Sequence, residues 1–304
     1  MSYLDRERQR IILLRDRLFR DPGQGQFAGR ARDFVLSESD QNLWPGIRDD
    51  AIDYFRRNTI SWWGGVGDSP TGHLLSSQVA CVNHLYPLRQ RPELATALLA
   101  GLDAEIVAAE KLDDGYVAFE LIGPRQYLKE RGFTRGAHCT SVDGAMIGRT
   151  STGERRLFLI EWKYTESYAK EDKYIPARAK VYDDHITEKL SPFAPVDPRH
   201  LYFEPFYQLM RQTLLGSLLA GNGEYGCSTY RHVHVAPNEN TEFHSRVTSP
   251  GLTGTSVYDA WRLVLKNPEF FITCSPEVLM GPLASQPDTS SHLNYLAARY
   301  WPVA

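Results

Sequence analysis

Residues 155–163 open on charge, run through Leu157, Phe158, Leu159 and Ile160 without a break, and return to charge at Glu161. Side chains alternate along a strand, so four consecutive apolar residues cover both faces and predict a buried central strand. Upstream, residues 116–122 and 140–149 are short β-branched or aromatic runs bounded by turn-forming or charged residues, which predicts two further strands. The connection 148–154 is short enough to close the second and third strands into a hairpin. Residues 204–220 carry apolar side chains at helical spacing, and 230–235 read as a last apolar strand stopped at Pro237. The predicted order is helix, three strands, helix, strand.

Before this core the pattern is helical. Residues 3–19 set Leu4, Ile11, Leu14 and Leu18 on one stripe, with arginines interleaved among Asp5, Glu7 and Asp16. That interleaving favours a solvated face over a phosphate-binding one. Further helices are predicted over 47–58, 76–88 and 93–111, and after the last strand over 257–265 and 291–300. The chain therefore divides into a helical N-terminal elaboration (1–75), a core (76–240) and a C-terminal helical cap (241–304) packed on that core.

Composition narrows the class. The chain has 304 residues, 42% of them hydrophobic, with 16 Tyr, 13 Phe and 6 Trp, which supplies a large core and argues against extended disorder. A formal net charge of −3 gives no global attraction to polyanions, so a nucleic-acid ligand needs a local basic surface or bound metal ions. Cys81, Cys139, Cys227 and Cys274 form no C-x-x-C pair, which leaves neither a zinc knuckle nor a redox motif. The first residues lack the apolar core of a signal peptide, and no later run approaches the roughly 18 apolar residues of a membrane span. A cytoplasmic protein with no membrane partner is expected.

The chemistry gathers at the hairpin. Asp143 opens one predicted strand, while Glu161 and Lys163 close the next and share a face. Pairing those strands sets two carboxylates side by side, where they repel unless a cation lies between them, and Mg²⁺ favours carboxylates together with waters and phosphate oxygens. Lys163 is then in place to hold an attacking water or stabilise phosphate charge. The plainer reading makes Asp143 a turn residue before Gly144 and leaves Glu161 and Lys163 as solvated edge charges. The abrupt onset of charge after a wholly apolar strand weighs against it. Glu120, in the middle of the first strand, suits either a further ligand, a partner for Lys163, or an ion pair with an arginine. His232 and His234 alternate on the last strand, but no third ligand is visible and packed histidines are the commoner outcome. Arg211 offers a guanidinium fork to a phosphate.

Asp143-Gly144 followed by Ile160-Glu161-Trp162-Lys163 resembles the PD-(D/E)XK, or restriction-endonuclease-like, nuclease superfamily. The context from Ser77-Gln78 through Thr140-Ser141, Tyr164-Thr165-Glu166 and Phe206-Tyr207-Gln208 to Arg211 is similar to a bacterial branch of it. The resemblance implies an α/β fold with an α-β-β-β-α-β mixed sheet flanked by helices, plus helical additions at both ends. It also implies a Mg²⁺-dependent phosphodiesterase, with Mn²⁺ able to substitute. Asp143 and Glu161 are then metal ligands, the Trp162 backbone carbonyl a third, Lys163 the partner of the nucleophilic water, and Gln208 a neighbour of the site. Val142 stands where the motif's name has proline. DNA ranks ahead of RNA as substrate, and a homodimer would suit duplex cleavage. Two other readings are a catalytically silent nuclease-fold module that binds nucleic acid or assembles with partners, and a metal-dependent hydrolase of small phosphate esters. Several helices precede the sheet, and the acids Glu105 and Glu110 and the amides Gln78 and Asn83 all compete for the core-helix position. The long connection 165–202, basic and tyrosine-rich, reads as a lid or substrate guide.

Overall fold

Residues 155–162 do form the centre of the sheet, and the two faces of that strand divide the protein interior. The computed structural model describes residues 1–301. Helix α1 (Tyr3–Leu18) begins at Ser2, whose side chain accepts from the Asp5 N–H, and a small ribbon of β1 (Gly25–Phe27) and β2 (Arg30–Arg32) follows. Then come α2 (Arg48–Arg57), α3 (Ser77–Leu85), α4 (Pro92–Leu102), β3 (Ile106–Glu110), β4 (Ala118–Leu121), β5 (Val142–Thr150) and β6 (Arg155–Trp162). The crossover from β6 carries α5 (Pro176–Thr187) and α6 (Phe206–Gly221) before β7 (Thr229–Val235). The chain ends through α7 (Thr241–Ser245), α8 (Val257–Leu263), β8 (Phe271–Cys274), α9 (Pro276–Met280) and α10 (Ser290–Tyr300).

The larger sheet has six strands in the order β3-β5-β6-β7-β8, with β4 beside β3 on the same edge of β5. β5 and β6 pair antiparallel, with Gly144 opposite Ile160 and Met146 opposite Phe158, whereas β6, β7 and β8 run parallel. The α-β-β-β-α-β core is therefore α3, β4, β5, β6, α6 and β7. Phe158, Ile160 and Trp162 enter one buried cluster with α1, α2, α3, α4 and α10, and Leu157 and Leu159 enter the other with α5, α6 and α8. Burying both faces explains why this strand carries no polar residue between Arg156 and Glu161.

Three stretches differ from the sequence pattern. The helix expected over 93–111 stops at Leu102, and the chain turns at Asp103, whose carboxylate accepts from the Glu105 N–H, before pairing Ile106 to Glu110 with β5. Alanine-rich spacing suits a helix, but the β-branched pair Ile106-Val107 finds a sheet edge to pack on, and tertiary pairing overrides local propensity. The C-terminal region, expected to be helical, also contributes β8 alongside β7. The 165–202 connection holds α5, which packs with α6.

Candidate active site

Register builds the site. One step beyond the Gly144–Ile160 pair stand Asp143 and Glu161, on the sheet face covered by α6. Asp143 Oδ2 accepts the Trp162 N–H at 2.7 Å, which ties the aspartate to the end of β6. Trp162 itself turns to the opposite face and packs on His84 of α3 at 4.4 Å between ring centroids. Strand alternation thus separates the buried indole from the polar pair flanking it.

Glu161 is 4% exposed, and side chains from two elements hold it. Its Oε1 accepts from Lys163 Nζ at 2.7 Å and from Gln208 Nε2 at 2.6 Å, while Oε2 accepts from Gln212 Nε2 at 2.5 Å. Lys163 Nζ also donates to Gln208 Oε1 at 2.6 Å, closing a triangle of Glu161, Lys163 and Gln208. Burial pulls the Lys163 ammonium downward, but the neighbouring Glu161 above all, then Tyr168 and Glu166, outweighs it and holds the group well above its ordinary value.

The third carboxylate arrives through strained backbone. Glu120 lies in β4 with φ of 50°, a left-handed conformation that is unusual for a non-glycine residue and costs of order 1–3 kcal/mol. The Arg135 guanidinium clamps the carbonyls of Phe119 and Glu120 at this point. The Glu120 carboxylate accepts from Gln78 Nε2 at 2.7 Å and from Ser141 Oγ at 2.6 Å. Burial raises its pKa to about 7, helped by the charge of Glu161 and opposed by the Ser141 and Gln78 hydrogen bonds. Asp143 is pushed well above the usual carboxylate range by burial and then by Glu161 and Glu120. Three acids thus crowd a site with one ammonium in contact, and a cation relieves such a cluster.

The predicted residues are not all equivalent. Glu161, Lys163 and Gln208 are in direct contact, Asp143 stands beside Glu161 in register, and Glu120 is close enough for its charge to act on Asp143. Arg211 instead reaches Thr140 Oγ1 at 3.3 Å and lies over the Tyr207 ring at 4.6 Å, one step around α6 from the carboxylates. Gln78 identifies α3 as the helix that completes the cluster. Glu105 pairs with Arg156, and Glu110 with Arg149 and Arg155, so both serve the far end of the sheet. Gln212 and Ser141 were missed. Gln212 follows Gln208 by four residues, one helical turn on the same face, and that spacing was the available signal. His232 and His234 are buried on β7, with Thr213 Oγ1 3.1 Å and Tyr258 Oη 2.8 Å from their Nδ1 atoms, and burial lowers both pKa values.

Among the described residues, no group of three or more His, Cys, Asp or Glu side chains is gathered tightly enough to hold a metal alone. The carboxylate oxygens of Asp143 and Glu161 are nevertheless hard donors of the kind that Mg²⁺ accepts. No helix among the described residues is long and apolar enough to cross a membrane.

A mixed sheet with this core order, carrying Asp143 and Glu161-Trp162-Lys163 at adjacent strand ends, defines a restriction-endonuclease-like protein. Residues 29–301 match the family described as Restriction Endonuclease associating with ARP, and the chain belongs to that family. Membership points to a nuclease and to interaction with nucleic acid. No curated protein and no solved structure matches the chain.

Proposed function

We propose that the protein is a Mg²⁺-dependent nuclease that hydrolyses phosphodiester bonds, with DNA ahead of RNA as its substrate. The observation that carries this reading is the meeting of Asp143, Glu161 and Lys163 at one end of the β5–β6 ladder, with Glu161 gripped by Lys163, Gln208 and Gln212. Asp143 and Glu161 would hold the ion, with the Trp162 carbonyl as a third oxygen and Mn²⁺ as a substitute. When bound, the ion would supply Lewis-acid polarisation of the scissile phosphate. Lys163 would orient the attacking water and offset charge on the phosphate, while Gln208 and Gln212 keep Glu161 in one orientation. Glu120, held by Gln78 and Ser141, shapes the negative potential that draws the cation in. The free cysteines fit a cytoplasmic setting, and paired sites in a homodimer would suit duplex cleavage.

The test is incubation of purified protein with linear, circular and single-stranded DNA and with RNA, with Mg²⁺, with Mn²⁺ or with EDTA. Cleavage in either metal is expected, as is its loss in EDTA. Asp143→Ala and Lys163→Ala should each lower the rate by at least about a hundredfold while remaining folded. Undiminished cleavage by folded variants would sink the assignment. A folded protein that binds nucleic acid without cutting it would point instead to a silent binding module.

A further inference from the structure

Beside the carboxylates lies a cavity of about 630 Å³, between α5, α6 and the segment preceding β5. Its cationic lining residues are Arg131, Arg178 and Arg211, against a single carboxylate, Glu130. Glu130 is already engaged. It accepts the Thr140 N–H at 2.7 Å and the Thr140 hydroxyl at 2.6 Å, and it also takes the Tyr182 hydroxyl. The local balance is therefore positive in a chain whose net charge is −3. The same wall is aromatic and aliphatic: the Arg178 and Arg211 guanidinium carbons lie 5.5 and 4.6 Å from the Tyr207 ring centroid, and Ile175 at the rim is 47% exposed.

Two elements join this cavity to the candidate active site. Arg211 stands on α6 between Gln208 and Gln212, which hold Glu161, and Thr140 runs directly into Ser141, which holds Glu120. The cavity and the carboxylates thus share α6 and the segment that enters β5. Volumes of roughly 300–1,000 Å³ suit one small ligand. A base enters such a recess only when it is outside a duplex stack; Tyr207 is buried beneath the Arg178 and Arg211 guanidiniums, and those cationic planes suit a base with its phosphate.

We propose that this cavity receives one unpaired nucleotide adjoining the scissile phosphate, so that the preferred substrate is single-stranded nucleic acid or a duplex containing an unpaired position. This rests on the nuclease reading of the neighbouring carboxylates. The test measures binding by fluorescence anisotropy in EDTA, so that no cleavage intervenes. The probes are a labelled DNA duplex, the same duplex with one extra unpaired nucleotide, and its single strand. The unpaired-nucleotide duplex should bind about tenfold more tightly than the perfect one. Ala177→Trp, which places an indole at an exposed position on the cavity wall, and Arg178→Ala should each remove that preference while changing perfect-duplex affinity less than about threefold. Thermal melting reports whether each variant is folded. Equal wild-type affinity for the two duplexes, absent binding included, overturns the proposal, as does a preference that survives both substitutions. Metal-dependent cutting without preference would remove the nucleotide cavity alone. A preference without any cutting would leave the cavity and remove the nuclease reading.

Discussion

Gln212 decides how well Glu161 is held. Its amide nitrogen bridges Glu161 Oε2 at 2.5 Å and the Ser141 carbonyl at 2.9 Å, so one side chain locks α6 to the ends of both β5 and β6. Gln212→Met keeps volume and helix propensity but removes both bonds, leaving Glu161 Oε2 without its donor and the carboxylate held through Oε1 alone by Lys163 and Gln208. In the proposed nuclease this variant should lose about 10–100-fold in kcat, with KM changed little and melting close to wild type. A KM effect alone would mean that Gln212 touches substrate rather than positioning Glu161. Sequence spacing made the neighbouring residues legible: Asp143, Glu161 and Lys163 follow from strand alternation and one short hairpin. The amides and Ser141 were not legible in the same way, because their roles depend on the distance between α6 and the sheet. Nor does any local signal foretell the left-handed backbone at Glu120, since the clamp on it comes from Arg135, fifteen residues further on.

That distance is set by glycine at one point on α6. A Cβ added at Gly216 would meet Tyr230 Cδ2 at 2.6 Å and Leu159 Cδ1 at 2.9 Å, closer than packed atoms tolerate. The helix therefore lies against β6 and β7 only because no side chain intervenes, and this approach brings Gln212 and Gln208 within reach of Glu161 one and two turns earlier. Gly216→Val should destabilise the protein by about 1–3 kcal/mol in denaturant titrations through overpacking. It should also slow cleavage in the molecules that remain folded, because the displaced helix carries both amides away from Glu161. Unchanged stability would show that the helix has room to shift. The elements best read from sequence were those buried on both faces or strongly periodic, β6 and α6. β3 and β8 escaped: both are short edge strands whose pairing partners, β5 and β7, lie far away in sequence, so their stability comes from contacts that no local pattern displays.

Across the whole molecule the two ends close over α3. Ile11 of α1 and Leu296 and Tyr300 of α10 share a cluster with α3, and Asn83 donates to the Tyr300 hydroxyl at 2.8 Å while its carbonyl lies 2.7 Å from His292 Nε2. At this junction His84 sits fully buried with Nδ1 2.6 Å from the Ala80 carbonyl and Nε2 accepting from the Trp301 indole at 3.3 Å. That pair of partners, one acceptor and one donor, requires a neutral ring. Burial lowers the His84 pKa from 6.5 to about 3. A folded value below the unfolded one means that the unfolded chain binds the extra proton, so this contribution is intact above about pH 6.5 and is lost as pH falls toward about 3. Within that window one such histidine removes about 1.4 kcal/mol per pH unit. His73 and His232 act in the same direction, with values lowered to about 4 and about 3. Glu120 and Asp143, whose values are raised, lose stability in the opposite sense as pH rises. Comparing His84→Asn with wild type cancels these shared contributions. Denaturant titrations between pH 6 and pH 5 should give the variant a shallower pH slope by about one proton, or about 1.4 kcal/mol per pH unit, even if it is less stable at pH 7. Parallel slopes would mean that His84 takes up its proton while folded, and that the seal of α10 over α3 does not depend on a neutral ring.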